Sequence, residues 1–185
     1  MRDPVSVIEA AYETEPDESD WLKGICERLG PALGLSPDRG EGVGAYFFDA
    51  SDLRHPRVGI KVAVGLPSAW FDLAVRIAQR AGVAEKTVLA HTVGTLSDAF
   101  GPRFEGIARE FIHPLGYSDV IGFTVIDPHR TGFVLAAMVN EVTKLSARQV
   151  ELWSRVAAHL AAGLRIRRRS RGGRRRAERG GRASP

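Results

Sequence analysis

"SDVIGFTVIDPHRTGFVLAAMVN", residues 118–140, holds two runs of β-branched, aromatic and small apolar residues around "DPHRTG" (127–132). Aspartate, proline and glycine between two such runs predict an antiparallel hairpin. Immediately downstream, "LSARQVELWSRVAAHLAAGLRIRRR" (145–169) predicts a helix. Ser146 and Gln149 have the spacing of a capping box, and Leu145 can staple it. Val150, Trp153, Ala157, Leu160 and Leu164 then recur at spacings of three and four. Such a stripe suits packing on the chain's own sheet, and equally a partner helix in a homodimer.

Upstream, "VGAYFFDA" (43–50) and "PRVGIKVAVGLP" (56–67) read as strands, the second with Val58, Ile60, Val62 and Val64 alternating on one apolar face. "PVSVIEAAYE" (4–13) suits a short amphipathic helix. A stronger one carries Trp21, Leu22, Ile25, Cys26, Leu29 and Leu33 at helical spacing, which makes Cys26 a small buried hydrophobe. Pro67 and Ser68 open a helix bearing Trp70, Phe71, Leu73, Ala74, Ile77 and Ala78. "RFEGIAREFIHPLG" (103–116) reads as a helix with Phe104, Ile107, Phe111 and Ile112 on its buried side. Ser97 is a plausible N-cap, and Asp119 and Asp127 suit turn or cap positions beside a strand. The order is helix, two strands, inserted helical region, two strands, helix. It implies an α+β fold: an antiparallel sheet with N- and C-terminal helices on one face and a helical insertion on the other.

The chain has 185 residues and a formal net charge of +4, but the charge is unevenly placed. Residues 165–185 hold ten arginines and one glutamate, which leaves −5 on residues 1–164. An acidic body gives no support to nucleic-acid binding by the domain itself. The composition divides the chain into an N-terminal segment (1–16), a folded domain (17–168) and an Arg/Gly-rich tail expected to be disordered (169–185). The single cysteine excludes an internal disulfide. The acidic start lacks the apolar core of a secretion signal, and no apolar run nears the ~20 residues of a membrane span. A cytoplasmic location is therefore expected.

Nothing in the sequence marks an enzyme. His55, His91, His113, His129 and His159 form no i, i+4 pair and no His-Glu-x-x-His motif. No Gly-x-Ser-x-Gly elbow is present, and "RGEGVGAY" precedes a strand rather than a helix, so it is read as a loop. No catalytic residue, metal site or cofactor is expected.

The element order, with "HPLGYSDVIGFTVIDPHRTGFVLAAMV" followed by the terminal helix, resembles the GAF domain, a sensory α+β fold. More narrowly, these stretches, with "GLPSAWFDLAVRIAQRAG" and "TVGTLSDAFG", resemble GAF-like sensor regions that precede a LuxR-type helix-turn-helix domain in regulators of high-GC bacteria. The resemblance spans roughly residues 15–168 and implies a non-enzymatic signal-sensing role in transcription regulation. It implies a small-molecule ligand held between the sheet and the inserted helices. Candidates for lining that pocket are Tyr46, Phe48, Trp70, Phe71, His91 and Phe123, which would equally fill a core. The Asn-Lys…Phe…Asp-Glu signature of cyclic-nucleotide GAF domains is absent, and Cys26 is misplaced for attaching a bilin. No helix-turn-helix follows residue 169.

Three readings of the tail stand open. It is a cationic arm for nucleic acid, through Arg167, Arg168, Arg169, Arg171, Arg174, Arg175 and Arg176; a solvated terminus; or the product of a slipped frame in a GC-rich gene. The first is the alternative function: non-specific nucleic-acid binding. The leading reading is a sensory domain acting as a homodimer through its terminal helix.

Overall fold

In the computed structural model, which describes residues 3–52, 57–67, 70, 71 and 92–180, the hairpin of residues 118–140 is the centre of an antiparallel sheet. Its strands are β1 (Gly42–Asp49), β2 (Arg57–Val64), β3 (Val93–Thr95), β4 (Asp119–Ile126) and β5 (Thr131–Val139), in the order β2-β1-β5-β4-β3. The hairpin turn closes on Arg130, in the left-handed region at φ 59°. Helices α1 (Val5–Tyr12), α2 (Glu18–Leu33) and α5 (Ala147–Gly180) cover one face. Helices α3 (Leu96–Phe100) and α4 (Phe104–Ile107) lie with further irregular turns on the other. This is the expected α+β class.

Strand alternation sends Val43 and Ala45 of β1, Ile121, Phe123 and Val125 of β4, and Phe133, Leu135 and Ala137 of β5 into the core beneath α2 and α5. Helix α2 starts where Asp17 accepts the Asp20 N–H at 2.9 Å, and stops at Gly34, whose φ of 83° suits glycine. Its Trp21 meets Phe133 edge-to-face at 5.5 Å, and its indole N–H donates to Ala11 O at 3.3 Å. The staggered apolar spacing of α2 thus becomes buried aromatic area.

The capping box of α5 forms as expected. The Ser146 N–H donates to Gln149 Oε1 at 2.8 Å, and the Gln149 N–H donates back to Ser146 Oγ at 3.3 Å. Trp153, Ala157, Leu160 and Leu164 are all buried in the chain's own core, Trp153 edge-to-face on Phe123 at 5.6 Å, while Val150 is half-buried. Of the two readings of this stripe, packing on the protein's own sheet is the one observed. A homodimer through Trp153, Leu160 and Leu164 would have to strip them from that core, so these side chains do not present a partner surface.

Two arginines of the supposed tail are also part of the fold. Arg167 is 2% exposed; it donates to Glu13 O at 2.9 Å and to Pro16 O, and its guanidinium lies 5.2 Å from the Trp21 ring centroid. Arg168 pairs with Asp127 and donates to Thr131 Oγ1 at 2.6 Å. The end of α5 is therefore clamped between the α1–α2 loop and the hairpin turn. Beyond it the helix runs on to Gly180, where composition had suggested disorder. Arginine and alanine propagate a helix once it is nucleated, and no proline interrupts before Pro185.

Other expectations are corrected by register. Tyr46 faces Lys61 and Phe48 faces Val58, so β2 carries one extra residue in a bulge. Alternation breaks there: Val62 and Val64 join the core, whereas Val58 and Ile60 are exposed. Thr95, not Ser97, caps α3, accepting the Asp98 N–H at 3.2 Å. The regular helix expected at 103–116 is instead α4, a π-turn over Ala108–Ile112 and a 3-10 turn over His113–Leu115.

Two outcomes follow from the clamp. A Cβ on Gly163 would lie 2.1 Å from Ala11 O, where α1 crosses α5. Helix propensity alone would reward Gly163→Ala by up to about 1 kcal/mol, but overpacking costs about 1–3 kcal/mol. Urea unfolding should show the alanine variant less stable than the parent; a gain would mean that the crossing yields freely. Partial burial pushes the Asp127 carboxyl up, but hydrogen bonds from Thr131, the Arg168 charge and the His129 N–H together hold it below the usual range. A depressed folded-state value stabilises above the unfolded value of about 4 and is lost as pH falls through the folded one. Asp127→Asn should therefore cost about 1–2 kcal/mol at neutral pH. The gap should close in acid, as measured by unfolding midpoints on either side of the transition.

Candidate functional site

The second face of the sheet carries the candidate site. Between the sheet and the inserted turns lies a separate apolar cluster: Trp70, Phe104, Ala108, Phe111, Ile112, Tyr117, Val120, Ala136 and Met138. The π-turn contributes Ala108, Phe111 and Ile112 together, because its wider coil brings consecutive residues onto one side.

The floor of this layer is set by register. Ala63 pairs with Gly44, Gly44 with Ala136, Ala136 with Gly122, and Gly122 with Gly94. One transverse row through all five strands therefore bears no side chain larger than a methyl. On β1, Trp70 lies flat in this trough: a Cβ on Gly44 would come within 2.3 Å of the indole. A Cβ on Gly122 would find, among the described residues, only Gly94 O within 4 Å, at 3.9 Å. The next row is Lys61, Tyr46, Val134 and Thr124, which walls the trough along one side.

Polar groups are few at this wall. Burial pushes the Tyr46 phenol up to about 12, and no hydrogen bond contributes to the shift. Phe71 packs edge-to-face on Trp70 at 4.8 Å, and Lys61 Nζ stands 5.9 Å from the Phe71 ring centroid. An apolar trough with a phenol and an ammonium at its margin suits an amphipathic small molecule.

Of the six residues expected to line a pocket, Tyr46, Trp70 and Phe71 come together here. Phe48 is half-buried two residues along the same strand face, level with Val58 and Gly132. His91 lies outside the described residues. Phe123 is on the opposite face, fully buried against Trp153, because it alternates with Gly122 and Thr124. It belongs to the core beneath α5. The row of glycines and alanines was missed. Its signal, small residues recurring at one level of five strands, becomes visible only when strand register is known.

Next to the trough sits a buried carboxylate. Asp119 is fully buried at the start of β4 and accepts four hydrogen bonds. They come from the Ser97 N–H (3.2 Å) and hydroxyl (2.6 Å), the Val120 N–H (2.8 Å) and the Thr143 N–H (3.1 Å). It ties α3, whose Leu96 and Phe100 pack on the trough cluster, to the loop that leads into α5. Asp127, the other aspartate flanking β4, holds the hairpin turn through His129 and Thr131. Both aspartates serve turns and caps, as their positions suggested. Among the described residues, no group of three histidine, cysteine or acidic side chains is placed to hold a metal ion.

No family model matches the sequence, and no curated protein matches it. Solved structures do. SdiA from Escherichia coli superposes with a TM-score of 0.53 at 11% identity, over 83% of this chain and 63% of that one. The chain therefore spans less than two thirds of SdiA's length. SdiA in complex with octanoyl-rac-glycerol gives a TM-score of 0.50 at 12% identity, over 90% and 68% of the two chains. The GAF domain of a phosphoenolpyruvate-protein phosphotransferase from Coxiella burnetii gives 0.48 at 14%, over 92% and 99%. The structural neighbours are thus ligand-binding domains of LuxR-type regulators and a GAF domain, and at these identities what the chain shares with SdiA is its α+β fold.

Proposed function

We propose that the chain is a non-enzymatic sensor domain that binds a small amphipathic molecule in the trough over Gly122 and Gly94. The observation that carries this reading is the side-chain-free row on the covered face of the sheet. A sheet built only for stability would fill that level with large side chains, as the α5 face does at the neighbouring level with Val62, Leu135, Phe123 and Val93. The acyl portion of the ligand lies along the trough beside Trp70, and its polar end reaches the Tyr46 phenol. SdiA, which shares the fold, has been solved with octanoyl-rac-glycerol, a ligand of that chemical class.

The Asp119 carboxylate supports a route outward. A ligand pressing on Leu96 and Phe100 of α3 strains the Ser97 contacts. Through Asp119 the strain reaches Thr143, three residues before the Ser146 cap of α5. The response is thus a change in how firmly the start of α5 is held, which is how the domain acts on whatever α5 contacts.

Octanoyl-rac-glycerol is the first probe. A ligand present at 100 times its dissociation constant stabilises the folded state by about 2.7 kcal/mol, readable as a rise in unfolding temperature. A Cβ on Gly122 stays in ordinary contact with Gly94 O at 3.9 Å, so Gly122→Leu should keep a folded protein, checked by its own unfolding temperature, and lose the ligand-induced rise. Tyr46→Phe should weaken binding about five- to tenfold, the worth of one hydrogen bond. Medium-chain acyl compounds with other polar heads form the rest of the panel. If the Gly122→Leu protein is stabilised as much as the parent, the ligand is bound elsewhere and the site is wrong. Asp119→Asn tests the route separately: binding should persist, while ligand-dependent hydrogen-exchange changes over residues 143–150 should vanish.

A further inference from the structure

The clamp at the end of α5 separates two populations of arginine. Arg167 and Arg168 are engaged by the protein itself, against backbone carbonyls, Trp21, Asp127 and Thr131. Arg165 and Arg169 are exposed on α5. Arg171, Arg174, Arg175, Arg176, Arg179 and Arg182 follow the last anchor, with Glu178 as the only acidic residue among them. From Arg168 to Gly180 the helix backbone extends roughly 18 Å at 1.5 Å per residue.

We infer that this segment of α5 is an electrostatic arm for duplex nucleic acid, gripping phosphates without reading sequence. Duplex DNA carries about one charge per 1.7 Å of axis, so an arm of this length passes several phosphates. Residues 1–164 carry a net −5, so the excess positive charge is concentrated in the arm. Residues 165–185 contain no phenylalanine, tyrosine or tryptophan, so bases are not stacked and single strands are not preferred. Beyond Arg168 the only apolar residues are two alanines and a proline, so nothing can insert into a bilayer. Fixing the root of the arm with Arg167 and Arg168 lowers the entropy lost when phosphates are engaged.

The test uses the full chain and fluorescence anisotropy with two duplexes of unrelated sequence, across about 50–200 mM NaCl. Binding of both duplexes within about twofold is expected, with affinity falling linearly on a log–log plot by ~0.9 per phosphate neutralised. Changing Arg171, Arg174, Arg175 and Arg176 together to glutamine should weaken binding at least ~10-fold at the lowest salt and flatten the slope by up to ~3.6. The matching lysine variant should keep most of both. Unfolding midpoints of the variants should equal the parent's, since none of the four lies in the clamp. Absence of binding at the lowest salt, or a glutamine variant that binds like the parent, overturns the inference. Phosphatidylserine vesicles that bind as tightly as duplex overturn the choice of partner.

Discussion

The buried carboxylate of Asp119 is the constraint around which the two halves of the molecule are arranged. A carboxylate removed from water is tolerable only where donors replace its hydration, and here four converge from three separate segments. Each donor fixes a piece of chain whose position would otherwise be free: the start of α3, the first residue pair of β4, and the loop after β5. The covered face and the helical face share few direct contacts, since the sheet lies between them. Asp119 is where one reaches around the sheet to the other.

That arrangement gives the trough its consequence. The small-residue level lies beside the cluster in which the inserted turns pack on Val120, Ala136 and Met138, with Trp70 over Gly44. Those turns are held by short, irregular hydrogen-bonded pieces rather than by a long helix, and a π-turn is among them. Segments of this kind open at low free energy, whereas α5 and the β1–β5–β4 ladder are held by a continuous core. In the proposed reading, ligand binding works on the irregular layer, and the rigid layer supplies the reference against which a shift is felt.

The large elements were legible in the sequence, and the physical reason is local chemistry. The hairpin of residues 118–140, the stripe of α2 and the Ser146–Gln149 capping box each depend on residues close in the chain, so spacing alone reveals them. What spacing could not reveal was parity. Phe123 looked like a pocket residue because it is aromatic and lies in the right strand, yet the alternation that aims Gly122 at the trough aims Phe123 at Trp153. The bulge opposite Phe47 likewise moved Val58 and Ile60 out of the core face. Arg167 and Arg168 were placed on the terminal helix, yet the alternative reading also counted them as nucleic-acid contacts, because a run of arginines gives no sign of which ones meet Trp21, Pro16 or Asp127, residues distant by more than thirty positions. The glycine–alanine row shares this cause: it is a property of four pairings.

Charge follows the same logic of position over composition. A formal charge of +4 describes neither part of the chain, since the body is acidic and the end of α5 strongly basic. Within that basic stretch, desolvation sorts otherwise identical residues. A guanidinium against backbone carbonyls and an indole face, as at Arg167, is as much a core group as Leu160, and replacing it would leave those carbonyls without a donor. Two residues later Arg169 is exposed, and its charge acts at a distance set by the Debye length, ~8 Å at physiological salt. Among the described side chains, Arg168 is the last by which α5 is anchored to other elements, inside a continuous helix. The Ser146 cap and the cationic end lie on one continuous helix, so the two proposed activities share a single hydrogen-bonded element even though their proposed binding surfaces are separate.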